Sequence, residues 1–141
     1  MAVPDNPFHY ITATYDNGAE VYDIKDNKKM WMGMLAENTP DLYRGNTNLV
    51  RLDADRYITI THKLTHDEYG RKRYLNYFVL YDNALVPVKI SEPFKTTPYN
   101  IEFITTLLLR GDDIIIGTTE MDSKPMVQTY DRRELLDTLL S

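Results

Sequence analysis

The stretch Tyr43 to Lys63, YRGNTNLVRLDADRYITITHK, decides how the rest of the chain is read. It opens on a polar, glycine-containing loop (Arg44, Gly45, Asn46, Thr47, Asn48) and passes through a short strand. It then turns tightly at Asp53 to Arg56 and ends in a β-rich strand closing at His62. Tyr57-Ile-Thr-Ile-Thr is dense in β-branched and aromatic residues, which suit a pleated, half-buried surface. Apolar strands thus surround a knot of side chains fit for a hydroxylated or anionic ligand. Arg44 offers a planar fork of donors, and Asn46 and Asn48 add amides. The same run also suits a plain turn.

Working outward, Phe8 to Tyr15, Ala19 to Lys25 and Lys29 to Leu35 read as a three-strand meander, with Asp16-Asn17-Gly18 as a hairpin signal. Alternation in KMWMGML puts Met30, Met32 and Met34 on one face and Trp31 on the other, a pattern of core or interface packing. Beyond His62, Thr65 to Arg73 is charged and contains Gly70, as an exposed hairpin would be. Tyr74 to Tyr81 is a long strand, and Pro87 gives Leu85 to Ile90 an edge position. Ile101 to Leu109, Ile114 to Thr119 and Met126 to Tyr130 complete the strands. The tail is the one helix: Asp131 caps it, Glu134 stands three residues on, and Leu135, Leu136, Leu139 and Leu140 share a face.

The chain also repeats. Tyr10-Ile-Thr-Ala-Thr, Tyr57-Ile-Thr-Ile-Thr and Asp113-Ile-Ile-Ile-Gly read as one strand occurring three times. Each precedes a strand closing on Tyr-Asp: Tyr22-Asp23, Tyr81-Asp82 and Tyr130-Asp131, with steps of 59 and 49 residues. Antiparallel units of about 40 to 50 residues are the mark of propeller blades. The expected fold is therefore all-β: one domain over 1–141, a partial β-propeller of about two and a half to three antiparallel blades, with a short C-terminal helix. Propellers close with about four to eight blades, so a longer polypeptide, assembling copies or collapse into a sandwich must deal with the open faces.

Composition narrows the function classes. At 141 residues, 43% hydrophobic and 26% charged, the chain is globular in balance. A net charge of −5 argues against a phosphate-backbone binder, and Arg71-Lys72-Arg73 and Arg132-Arg133 are too short to reverse that. There is no Cys, hence no disulfide or thiolate metal site. His62, His66, Asp67 and Glu68 lack helical ligand spacing, and no metal is expected. The start MAVPDNPFHY has no signal-peptide character, and no apolar run nears the roughly 18 residues of a membrane span. A cytoplasmic protein with neither membrane nor nucleic-acid partner is expected.

Arg44-Gly-Asn-Thr-Asn-Leu-Val followed by Tyr57-Ile-Thr-Ile-Thr-His62 resembles the RGGSPLV…WLAVVHE pattern of five-bladed propellers related to glycoside hydrolase family 130, the β-mannoside phosphorylases and mannosidases. Tyr77 to Asp82, Pro87 to Phe94, Asn100 to Phe103 and Asp113 to Asp122 continue the likeness. Similar propellers are joined to glycosyltransferase modules. The resemblance covers nearly the whole chain from Phe8, but only the C-terminal half of such a propeller.

It implies a sugar or sugar phosphate as ligand, with inorganic phosphate as co-substrate where there is chemistry and no other cofactor. It places the phosphate-contacting histidine on His62, funnel-facing polar residues on Arg44, Asn46 and Asn48, and acidic positions on Glu102 and on Glu120 or Asp122. The family's general acid and much of its phosphate-binding arginine set have no counterpart here, and Leu42 stands where the phosphorylases carry Lys. A complete site then needs a missing N-terminal half or a homo-oligomer. Inverting glycoside chemistry needs an acid opposite a base or anion; Glu102 and Asp122 are the catalytic candidates, although each reads more readily as a solvated loop or strand-end charge. Glu102 stands out, because a charge inside an apolar strand is costly unless paired. A non-catalytic assembly protein built on a propeller remnant is the alternative.

Overall fold

The computed structural model describes the backbone of residues 2–3, 6–13, 18–23, 28–34, 43–85, 87–121 and 124–140, and the side chains from 47 to 139 within those ranges. Among these residues twelve strands and one helix succeed one another: β1 (Ala2–Val3), β2 (Asn6–Ala13), β3 (Gly18–Asp23), β4 (Lys28–Met34), β5 (Tyr43–Asn46), β6 (Val50–Arg51), β7 (Arg56–His66), β8 (Lys72–Asp82), β9 (Pro87–Ile90), β10 (Glu102–Arg110), β11 (Asp113–Glu120), β12 (Lys124–Asp131) and α1 (Arg132–Leu140). They form three antiparallel sheets, ordered β1-β2-β3-β4, β5-β7-β8-β9 with β6 also on β7, and β10-β11-β12. The first and third sheets are meanders of consecutive strands, while in the second β5 and β6 both pair with β7; none closes on itself among the described residues. The fold is all-β with one short helix.

Residues 44 to 46 lie in strand β5 rather than in the expected loop. Arg44 pairs with His62 and Asn46 with Thr61, and the register slips between them, which leaves Gly45 in a bulge-like irregularity. Ladder pairing to β7 thus overrides a composition that favours turns. Pro87 does fall on an edge strand, since β9 ends its sheet. Asp131 does cap α1, accepting a hydrogen bond from the Glu134 backbone N–H at 2.8 Å. The predicted Asp16-Asn17-Gly18 turn lies largely outside the described residues.

The three repeats share one register, offset by a residue from the sequence alignment in the last case. His9, Arg56 and Asp113 pair with Asp23, Asp82 and Asp131; Tyr10, Tyr57 and Ile114 pair with Tyr22, Tyr81 and Tyr130. Ile114, not Asp113, is therefore the counterpart of Tyr10 and Tyr57. Asp113 occupies the hairpin position. In the later two Tyr-Asp pairs the Asp caps the next segment of chain: Asp82 accepts from Ala84 N and Asp131 from Glu134 N.

The core forms where the second and third sheets meet. Ile58, Ile60, Phe78 and Leu80 face Leu107, Ile114 and Ile116, with Leu52 at the margin. Phe78 stacks on Phe94 at 4.9 Å between centroids, and Leu135, Leu136 and Leu139 bring the apolar stripe of α1 against the same cluster. Alternation puts Tyr57, Thr59, Thr61, Val79 and Tyr81 on the other face of the second sheet, and all five are buried too. That sheet is covered on both sides. Opposite Gly117 the β10 register slips between Ile104 and Thr106, and a Cβ on Gly117 would stand 3.2 Å from the Thr106 Cβ. Among the described residues no helix is long and apolar enough to cross a membrane.

Phe78 is fully buried at the centre of this contact. Phe78→Ala is expected to lower unfolding free energy by about 3–5 kcal/mol, read from urea midpoints at constant slope.

Candidate functional site

Register carries the candidate residues into one line across the molecule. Arg44 pairs with His62, His62 with Asn76, and Asn76 bridges to Phe94. The Asn76 side-chain amide then donates to Glu102 at 2.8 Å, crossing to the third sheet, where Glu102 pairs with Glu120 and Glu120 with Lys124. Positions scattered over eighty residues of sequence thus occupy a single row, just beyond the apolar core.

Glu102 is the centre of that row and is fully buried. Its Oε2 accepts from Asn76 Nδ2, from Thr96 N at 2.9 Å and from Thr96 Oγ1 at 2.7 Å. Its Oε1 accepts from Thr97 N at 3.0 Å and Thr97 Oγ1 at 2.9 Å, and pairs with Lys95 Nζ at 3.0 Å. Burial alone would raise the carboxyl pKa. The Thr96 donors and the Lys95 ammonium outweigh it and hold the group below the ordinary glutamate range. Such a carboxylate, charged and fully hydrogen-bonded, acts as an anchor.

The other candidates sit differently. His62 is half-buried in an aromatic cluster, 4.9 Å from Tyr74 and 5.5 Å from Phe103 between ring centroids, the latter edge-on. Asn48 has both ends of its amide engaged by one residue: Nδ2 donates to Leu107 O at 2.7 Å, and Oδ1 accepts from Leu107 N at 3.0 Å. It plugs the free edge of β10 as a neighbouring strand would, and so ties the second sheet to the third. Glu120 is buried beside Glu102. The side chains of Arg44 and Asn46, and Asp122 altogether, lie outside the described residues.

Sequence reasoning missed the rest of the polar shell. Thr96 is its hub: besides serving Glu102, its hydroxyl lies 3.3 Å from Thr118 Oγ1, and its carbonyl accepts from Gln128 Nε2 at 2.7 Å. Tyr130, whose hydroxyl is 3.3 Å from Gln128 Oε1, has its pKa raised by burial and then by the charge of Glu102. Asn76 Oδ1 is buried without a hydrogen-bond partner among the described residues, an open acceptor in the row. Thr96 meets Thr118 and Gln128, and Asn76 meets Glu102, only across elements distant in sequence, so no local pattern marks the shell.

A cleft of about 760 Å³ lies at the opposite ends of β7 and β11 and is lined by Asp53, Arg56, Asp112, Arg132 and Arg133 among others. Two of its cations are engaged within the fold. Arg56 pairs with Asp53 at 2.7 Å and holds that carboxyl below its usual range, while Arg132 donates to the carbonyls of Leu52 and Gly111.

The lowered Glu102 pKa fixes a sign. In the unfolded chain the group takes up its proton at higher pH than in the fold. Its contribution is complete above the unfolded value and drains away as pH falls through the folded one. Glu102→Gln is expected to cost about 3 kcal/mol at pH 7, because it strands Lys95 and sets an amide N–H₂ against backbone donors. The variant should also lose part of the wild type's stability decline on acidification, measured by urea unfolding from pH 7 downward.

No protein-family model matches the chain, and no curated protein matches it in sequence.

Proposed function

We propose that the chain is a carbohydrate-associated propeller module, three blades of an incomplete wheel, that binds a sugar or sugar phosphate through the polar row at the blade junction. The row itself carries the reading: it sets Arg44 next to His62 and continues through Asn76 to Glu102 and Glu120. In this reading Arg44 binds the anion, with His62 holding hydroxyls or phosphate oxygens; Asn46 pairs with Thr61 and falls outside the row. Glu120 and Asn76, both buried, back the row from within. Asn48 and Glu102 fix the frame.

Two features support the blade assignment. The three Tyr-Asp hairpins share a register. The two later tyrosines also keep one sense along the chain: Tyr130 packs toward the preceding sheet, and Tyr81 is on the face of its sheet turned away from the following one. Blades repeating around an axis have this property.

We assign the chain a binding role on its own. A general acid must reach the leaving oxygen, and Glu102 has no exposed surface and an occupied set of lone pairs. Turnover would require a carboxylate from another segment or subunit, with inorganic phosphate as co-substrate for phosphorolysis. The second reading, an assembly protein, is favoured by the outer face of the last sheet, where Leu108 and Val127 are 49% and 76% exposed.

A thermal-shift panel of hexose 1-phosphates, neutral hexoses and inorganic phosphate distinguishes the two. Stabilisation by a hexose 1-phosphate that Arg44→Ala with His62→Ala abolishes is the expected result. Melting curves unmoved by every member of the panel would leave the assembly reading in its place.

A further inference from the structure

A further groove lies beyond the row, at the ends of the strands. Of about 520 Å³, it runs between the β7–β8 hairpin and the 98–101 loop, lined by Arg71, Lys72, Tyr99, Asn100 and Met121 with Pro98 and Ile101. It combines aromatic surface with positive charge. Tyr99 is 48% exposed, Met121 53%, and Tyr69 at the rim 74%. No carboxylate is among the described lining residues, although the chain as a whole carries −5.

Hydrogen bonds join the two walls of the groove. Asp67 accepts from Tyr69 N, Arg71 N and Arg71 Nε, each at 2.9 Å, and from Asn100 Nδ2 at 2.8 Å, which ties one wall to the other. Those donors, the Asn100 amide first, hold the Asp67 carboxyl far below its usual range, so it stays charged and keeps Arg71 in place over the Tyr69 ring at 5.1 Å. Tyr74 N donates to Asn100 O and Met121 N to Ile101 O, both at 2.8 Å, and Tyr99 N donates to Thr97 Oγ1, itself a ligand of Glu102. Met121 has φ 47°, a left-handed conformation that a side chain adopts only at a cost.

Exposed aromatics held in fixed positions lose little freedom on binding, and a flat ring with apolar C–H faces suits them. Asp67 balances Arg71, so Lys72 leaves the lining with net positive charge. Arg71 uses only Nε toward Asp67, and its guanidinium retains further donors for an oxyanion. We propose that this groove binds an anionic pyranose, its ring against Tyr99 and its carboxylate or phosphate at Lys72 and Arg71. The proposal rests on the carbohydrate reading for the class of ring, and it adds a second subsite specific for charge.

Backbone ¹H–¹⁵N shift mapping on the full chain tests it, with trigalacturonate, a hexose 6-phosphate and neutral mannotriose as probes. An acidic probe should move the amides of residues 69–72, 99–101 and 121. Its affinity should fall at least about tenfold in Tyr99→Ala with Lys72→Gln and weaken with salt. Trigalacturonate and the hexose 6-phosphate together decide whether the anion is a carboxylate or a phosphate. Acidic probes that leave those amides still would overturn the proposal, as would unchanged affinity in the double variant or mannotriose binding as tightly. A response to the hexose 6-phosphate confined to the Arg44–His62 row would sink the groove and leave the function reading standing.

Discussion

The buried carboxylate of Glu102 sets the constraint around which this fold is built. An isolated ionised carboxyl in an apolar interior is prohibitively costly, so the chain must either keep it wet or surround it with donors. It does the second, with three donors on each oxygen. Those donors come from β8 and from the 95–97 loop. Satisfying one charge therefore clamps the loop between two sheets. Thr96 then spreads the clamp to Thr118 on β11 and Gln128 on β12. All three strands of the last sheet are held by a loop that belongs to none of them.

The apolar and polar parts of the junction divide the work. Phe78, Ile60, Leu107 and Ile116 supply non-directional attraction between the sheets. The directional contacts, Asn48 on Leu107 and Glu102 in its shell, determine how the sheets are set against one another. A polar row laid beside a close-packed core is held in one geometry, which is what a binding surface needs. The same device explains why Glu102 is unsuited to acid catalysis. Groups that stabilise its charge so completely also occupy the positions a substrate would need.

Much of this was legible in the residues themselves. Asp131 with Glu134 marked the helix start, Pro87 an edge, and the Tyr-Asp pairs a repeat, because each signal is local and has a backbone cause. Glu102 was conspicuous because its neighbours in sequence are apolar. Its role was not legible, since Asn76 approaches it only after two sheets have met, and nothing in residues 95–97 marks a loop that folds back on a carboxylate. Arg44 to Asn46 read as a loop from composition, and pairing with β7 made them a strand. The third repeat slipped by one because Asp113 is the hairpin residue preceding the true counterpart, Ile114. The Tyr99 groove gave no signal at all: its walls are hairpin and loop residues joined through Asp67.

A carboxyl-detected ¹³C titration of Glu102 in the intact chain measures the central interaction directly. The account predicts an inflection below the ordinary glutamate value of about 4.3, with the Thr96 and Thr97 amides shifting in step. A Glu102 carboxyl that titrates at or above that value, or amides at 96 and 97 indifferent to its protonation, would contradict it.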